Sequence, residues 1–425
     1  MLNRIYIIIG LLAIAVLALA FIAPRFIQWG DYRDRMEALA SGVLGAEVTI
    51  RGDIDFTLLP QPRLHFSDIL VGPESAPAAT VAEVEAEFAL MDFLRDNYSV
   101  TSLVLRDPQV DLSIDENGLF DSGVDMSANG GGVALQQARI ENGAMRLLDR
   151  RTGEVFAASG IAGDLRLASF VGPFQFQGAA DYGDARYEVR FNSGAADAEG
   201  TTRVSSYLRE TSGAFSWTSE GLLSAGVAPR FDGTMVYRQS PPPAERADEI
   251  RGDLVFESSL EASTDRVVLS GYTMQLDENR VGVRLTGSAN IQFGRRREFD
   301  AVISGGVFSL PPRDATEVPA QLPYEFVRLL SELPAPPMTP MPGRVEIELA
   351  EVGLRGFALR NLQVVANTDG STWQIEQARA AMPGETALRL SGQLSNDAGQ
   401  LGFRGDLDMT SARLDALAQA WRRPR

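Results

Sequence analysis

The chain of 425 residues has no cysteine, no lysine and one histidine, His65. Without cysteine there is no disulfide framework and no thiolate metal site. All 39 basic residues are arginine, which excludes a Walker A lysine, Schiff-base chemistry and Ser-Lys dyads. A single histidine leaves a Ser-His nucleophile nowhere else to turn, and zinc sites built from histidine and cysteine are ruled out. His65 sits between Leu64 and Phe66 on the polar side of a predicted strand and reads as a surface residue. Positive charge is also in deficit. The net charge of −17 argues against nucleic acid, whose binding rests on neutralising phosphates. The expectation is a protein without catalytic residues, cofactor or metal: not an enzyme.

Three features that look functional have simpler readings. Asp111, Asp115 and Glu116 suggest calcium, but Asp111 and Asp115 lie about 13 Å apart along an extended strand, too far to share an ion. Arg51-Gly52-Asp53 has the form of an adhesion tripeptide but falls inside a predicted strand. The run Gly130-Gly131-Gly132 lacks a following Lys, Ser or Thr in a phosphate-cradling frame and reads as a linker.

One long apolar run is present. Between Arg4 and Arg25 no residue is charged, and residues 5–24 would rise about 30 Å as a helix, the thickness of a bilayer core. Ile5, Ile8, Leu12, Val16, Leu19, Phe21 and Ile22 would face lipid. A cleaved signal peptide is the alternative, with Ala18-Leu19-Ala20 as its cleavage site. The run continues past that site, however, and Phe26, Ile27 and Trp29 supply interfacial side chains, which favours a retained anchor. Arg4 precedes the run while Arg25, Arg33 and Arg35 follow it. Counted alone, these charges would leave the body in the cytoplasm, but large domains translocate largely regardless of charge.

Beyond the run, residues 30–44 have the spacing of a short amphipathic helix. Period two then takes over. Val48, Ile50, Ile54, Phe56 and Leu58 alternate with Thr49, Arg51, Asp53, Asp55 and Thr57, which predicts one strand with a dry and a wet face. Val110, Leu112 and Ile114 alternate with Asp111, Ser113 and Asp115, and Asn117-Gly118 supplies the turn. A strand is expected from residue 81, closed by a helical turn near residues 91–96. The same alternation recurs about every ten residues to the end of the chain, the mark of antiparallel strands in hairpins. Val283-Arg-Leu-Thr-Gly, Leu388-Arg-Leu-Ser-Gly and, more faintly, Phe174-Gln-Phe-Gln-Gly form an internal repeat, read as strand, glycine break, strand, turn and strand. Residues 311–342 are rich in proline around a predicted helix at 324–333. The predicted organisation is an anchor at 1–29, a helix-plus-strand module at 30–125, repeated hairpins at 126–312, a Pro-rich helical insert at 313–343 and a final β region at 344–425.

Every one-sided strand must bury its apolar face, and the few predicted helices (residues 30–44, 91–96, 324–333 and 411–421) cannot cover them all. Either the sheet folds on itself, or it curls into a half-pipe whose apolar interior holds lipid. For the second, the lining would be Val48, Ile50, Ile54, Phe56, Leu58, Val110, Leu112 and Ile114.

The order of these segments resembles the AsmA family of bacterial envelope proteins. The resemblance rests on Val48-Thr-Ile-Arg-Gly-Asp-Ile-Asp-Phe with its Pro60-Gln-Pro62 stop, on Leu103-Val-Leu-Arg-Asp-Pro-Gln-Val-Asp-Leu and on the turn Asp115-Glu-Asn-Gly. More loosely, it extends to Leu362-Gln-Val-Val-Ala-Asn-Thr-Asp-Gly-Ser-Thr-Trp and Met382-Pro-Gly-Glu-Thr-Ala-Leu-Arg-Leu-Ser-Gly. It implies a single-pass inner-membrane protein with its body in the periplasm and a mainly β fold: an elongated, curved antiparallel sheet with a chorein-like start. It also implies a role in outer-membrane biogenesis, with phospholipid as cargo and a periplasmic or outer-membrane protein as partner. The alternative is a non-catalytic assembly or targeting factor for outer-membrane proteins that binds through sheet edges. Many family members are longer, which implies either a piece of a longer product or a short member acting with partners.

Overall fold

The structure is a computed structural model describing residues 33–59, 61–89, 100–123, 135–167, 172–240, 253–276, 283–309, 339–354, 357–397 and 400–416. The predicted anchor with Ile5, Ile8, Leu12, Val16, Leu19, Phe21 and Ile22 lies outside these residues. So do the expected helices near 91–96 and 324–333 and the Gly130 connector. Among the described residues no helix is long and apolar enough to cross a membrane. The chain divides into two compact units, residues 1–211 with 220–229, and residues 212–219 with 230–425.

The first unit opens with α1 (Arg33–Leu44) and continues with β1 (Val48–Ile50), β2 (Ile54–Thr57), β3 (Arg63–Val71), β4 (Ala79–Phe88), β5 (Val100–Arg106), β6 (Gln109–Ile114) and β7 (Phe120–Asp121). The long strands β8 (Leu135–Asp149), β9 (Glu154–Leu167), β10 (Phe174–Tyr182), β11 (Ala185–Ser193) and β12 (Thr201–Glu210) follow.

The strand expected across residues 48–58 is two strands. Ile50 pairs with Ile69 and Ile54 with Phe66, so residues 51–53 stand opposite only Ser67 and Asp68. This is a bulge. The Ser67 hydroxyl accepts from Asp53 N–H (2.8 Å), and Asp68 takes a positive φ of 51°. The bulge lets Phe66 and Ile69, at odd spacing on β3, pair with Ile54 and Ile50 in the same core. β5 and β6 likewise form one kinked strand, since both pair with β4 and with β8. Pro108 breaks it, and opposite the break the Asn142 side-chain amide donates to Asp107 Oδ1.

The second unit contains β14 (Arg230–Gln239), β15 (Leu254–Ser263), β16 (Arg266–Leu276), β17 (Val283–Gln292) and β18 (Glu298–Ser309). It continues with β19 (Gly343–Leu354), β20 (Phe357–Thr368), β21 (Trp373–Met382), β22 (Thr386–Asp397) and β23 (Gln400–Ser411). β13 (Phe215–Ser224) contributes its first half to this unit and its second half to the other.

The expectation of a purely antiparallel sheet needs correction. β5 and β6 pair in parallel with β8, and β18 pairs in parallel with β19. Parallel neighbours need a connection long enough to return the chain to its starting end. The two connector regions of the sequence, residues 122–134 and 310–342, supply that length. Among the described residues the remaining strand pairings are antiparallel.

The internal repeat also reads differently in three dimensions. Gly178, Gly287 and Gly392 do not separate two strands. Each lies inside one continuous strand, β10, β17 and β22.

α1 has two jobs. Its apolar side chains Met36, Ala40 and Leu44 pack on a core of Val48, Ile50, Ile54, Ile69 and Val71. Its polar stripe Arg33, Glu37 and Ser41, spaced by four residues and so on one face, closes the edge of β1. Val48 N–H donates to Ser41 Oγ (2.9 Å) and Ile50 N–H to Glu37 Oε1 (2.7 Å). The Arg33 guanidinium donates to the carbonyls of Ile50 and Gly52. A sheet edge that would otherwise offer free backbone groups is satisfied by side chains.

Candidate functional site

Directly paired residues in neighbouring strands share a face, so the registers can be followed across the first unit. One row runs Phe56, Leu64, Ala86, Leu103, Ala138, Leu165, Phe176 and Phe191. The adjacent row on that face runs Ile54, Phe66, Val84, Leu105, Ile140, Gly163, Gly178, Val189 and Leu208. Every member of these rows is apolar or glycine; the first ends at β11, where Phe191 faces Ser206 of β12, and the second reaches β12. No two strands here owe this to a shared local motif; each keeps its own period-two pattern, and register aligns them.

The intervening residues give the opposite face a different character. Asp55, His65, Glu85, Val104, Arg139, Asp164, Gln177, Arg190 and Tyr207 form one row. Arg139 pairs with Asp164 at 3.2 Å, and the Arg190 guanidinium stacks 5.4 Å from the Tyr207 ring. Arg106 reaches Glu83, Glu85 and Glu141 at 3.0, 3.4 and 3.3 Å. Arg63 bridges Glu85 and Glu87. These pairs are solvated and contribute little stability each. Their effect is to mark one face as wet.

The apolar face is unevenly covered. Val48, Ile50 and Ile54 are buried beneath α1. Phe56, Leu58, Val110, Leu112 and Ile114 are half-buried, as are Leu103, Leu165, Phe176, Phe191 and Leu208. Val110 pairs with Met145 and Leu112 with Leu147, which in turn faces Phe156. Met145 and Phe156 are 41% and 47% exposed. The eight residues picked from the sequence therefore divide into those that α1 seals, those on open sheet, and Leu58, which lies just past the end of β2. Leu165, Phe176 and Phe191 were missed as lining, although their alternation is as clear. Nothing local says which face of β9–β11 aligns with that of β2; only the register does.

The second unit repeats the arrangement. Tyr237, Phe256, Met274, Leu285, Gly305, Leu349 and Leu362 form one row. Tyr272, Gly287, Ile303, Ile347, Val364, Ala378, Leu390 and Leu407 form another. Its two hydrophobic clusters, around Leu285, Leu349 and Val352 and around Ala366, Trp373 and Ile375, are built of strand residues alone.

Glycines in these rows have rings across them. A Cβ on Gly178 would meet the Phe176 ring at 2.9 Å, on Gly287 the Tyr272 ring at 2.7 Å, and on Gly392 the Phe403 ring at 3.0 Å. These are the three repeat glycines. A backbone carbonyl of the neighbouring strand is closer still in each case (Ala162, Val302 and Arg404), so the repeat marks places where backbone and an aromatic ring crowd the position of a side chain.

The residues with simpler readings are placed accordingly. Asp111 pairs with Arg146 at 2.7 Å. Asp115 Oδ1 accepts from Leu119 and Asn117 N–H (2.8 Å each), which holds its carboxyl below the ordinary carboxylate range. Residues 51–53 form the bulge. Among the described residues no group of three or more His, Asp or Glu could hold a metal ion.

Residues 3–130 match the family model of the AsmA family. Comparison with curated proteins gives no match, and neither does comparison with solved structures.

Proposed function

We propose, with the AsmA-family match as premise, that this is an inner-membrane-anchored periplasmic protein that carries phospholipid along its apolar sheet face in outer-membrane biogenesis. The observation that supports this most is the unbroken apolar row from Phe56 to Phe191. Among the described residues only α1 packs on this face, at its first strands. Acyl chains laid along the half-buried remainder would gain about 0.8 kcal/mol per methylene removed from water. Headgroups need no pocket in this reading, because they stay in solvent while the tails travel. The family match begins at residue 3 and so takes in the apolar run 5–24, which favours a retained anchor. That anchor would bring β1 to a bilayer, because α1 starts nine residues after the run.

The test is lipid analysis of the purified full chain. Phospholipid should co-purify with it and be lost from a Phe176→Asp/Phe191→Asp variant whose far-UV circular dichroism is unchanged. A wild-type chain free of phospholipid would sink the reading. The second reading, an assembly factor that binds outer-membrane strands at a sheet edge, draws on the exposure of β23. It expects envelope function to survive that double substitution.

A further inference from the structure

We propose that the edge of β23 is a homodimer interface, at which a second copy of this chain adds its own β23 antiparallel to the first. β23 pairs with β22 and with no other strand among the described residues. Residues 403–410 are exposed on both faces of the strand, with Phe403 at 43%, Leu407 at 59% and Met409 at 40%. The apolar rows of the second unit end here: Leu394 faces Phe403, Leu390 faces Leu407 and Leu388 faces Met409. These three end residues sit on one face, and Arg404, Asp406 and Asp408 sit on the other.

The strand is complementary to itself. In an antiparallel pair centred on Gly405, Phe403 of each copy lies opposite Leu407 of the other, and Arg404 lies opposite Asp406, twice by symmetry. A shift by one residue would set apolar against charged positions. Centring on Arg404, Asp406 or Asp408 sets a charge against itself, and centring on Leu407 sets Asp406 against Asp408. The Gly405 register alone places Arg404 opposite an aspartate without also opposing like charges. Asp408 then faces Gly402, while Arg389 remains its partner on β22. The two-fold axis stands perpendicular to the sheet, so both copies present their apolar rows on the same side. Glycine at the axis adds no side chain between the strands.

The test uses the full chain in detergent solution, with protein mass measured by light scattering. A dimer is expected. Arg404→Asp should weaken it about tenfold, since two attractive cross-strand pairs become repulsive, and Arg404→Asp/Asp406→Arg should restore it. The absence of native cysteine permits a second measurement. Phe403→Cys and Leu407→Cys chains should each stay uncrosslinked alone, because like positions in the two copies stand about 13 Å apart. A mixture of the two should form a disulfide-linked dimer. A monomeric chain, a dimer indifferent to Arg404→Asp, or a mixture that does not crosslink would overturn the proposal.

Discussion

β1 and β23 each have one neighbouring strand among the described residues, and the chain treats them in opposite ways. The outward backbone groups of β1 meet Arg33, Glu37 and Ser41 of α1, and its apolar residues Val48 and Ile50 are 4% and 5% exposed. Among the described residues β23 has no such cover, and its Leu407 is 59% exposed. Both are β-strands with one apolar face, so strand character decides neither fate. A helix with the right stripe at the right spacing makes the difference. Among the described residues one edge is closed by side chains and the other is not.

The contrast can be broken most severely at the apolar positions. Ile50→Ala should cost about 2–5 kcal/mol, because a buried side chain leaves a cavity under α1. Leu407→Ala should cost less than about 0.5 kcal/mol, as its side chain is already wet. Urea unfolding of both variants measures the pair, and equal costs would erase the distinction. Next comes Glu37→Ala, which strands the Ile50 N–H and should cost about 1–3 kcal/mol. It should also speed hydrogen exchange at Ile50 relative to Leu70, whose amide lies on the inner strand.

The smallest effect belongs to the turn between β20 and β21. Asp369 accepts from the N–H groups of Thr372 and Ser371 at 2.8 Å each, which lowers its pKa from 3.8 to about 2. Its folded value lies below its unfolded one, so its contribution is fully present above about pH 4 and is lost as pH falls through about 2. The stability difference between wild type and Asp369→Asn should therefore grow between those values and be flat above them. A difference that grew above pH 5 would contradict this assignment.

Much of this arrangement is visible in the chain before folding. Period-two alternation marks Val110, Leu112 and Ile114 as one-sided without reference to any partner, and helical spacing marks Met36 and Ala40. What alternation cannot convey is an extra residue in register. The bulge at 51–53 is invisible because Ile50 and Ile54 keep even spacing across it. Parallel pairing is equally hidden, because a strand's own side chains do not record the direction of its neighbour. The apolar face is legible strand by strand, whereas its continuity from Phe56 to Phe191 exists only in the pairing. The repeat glycines show the converse. Gly287 and Gly392 stand out in sequence, but their reason, the close approach of a neighbouring carbonyl and of a ring from Tyr272 or Phe403, comes from the structure.

The parallel junction of β18 with β19 has a consequence for how the second unit assembles. Thirty-three residues separate the two strands, whereas four separate β20 from β21. Closing the longer loop costs about 2 kcal/mol more in chain entropy. The hairpins β14–β18 and β19–β23 should each zip locally and then meet along that one seam. The seam, rather than any hairpin, is then the slow step in reaching the native state.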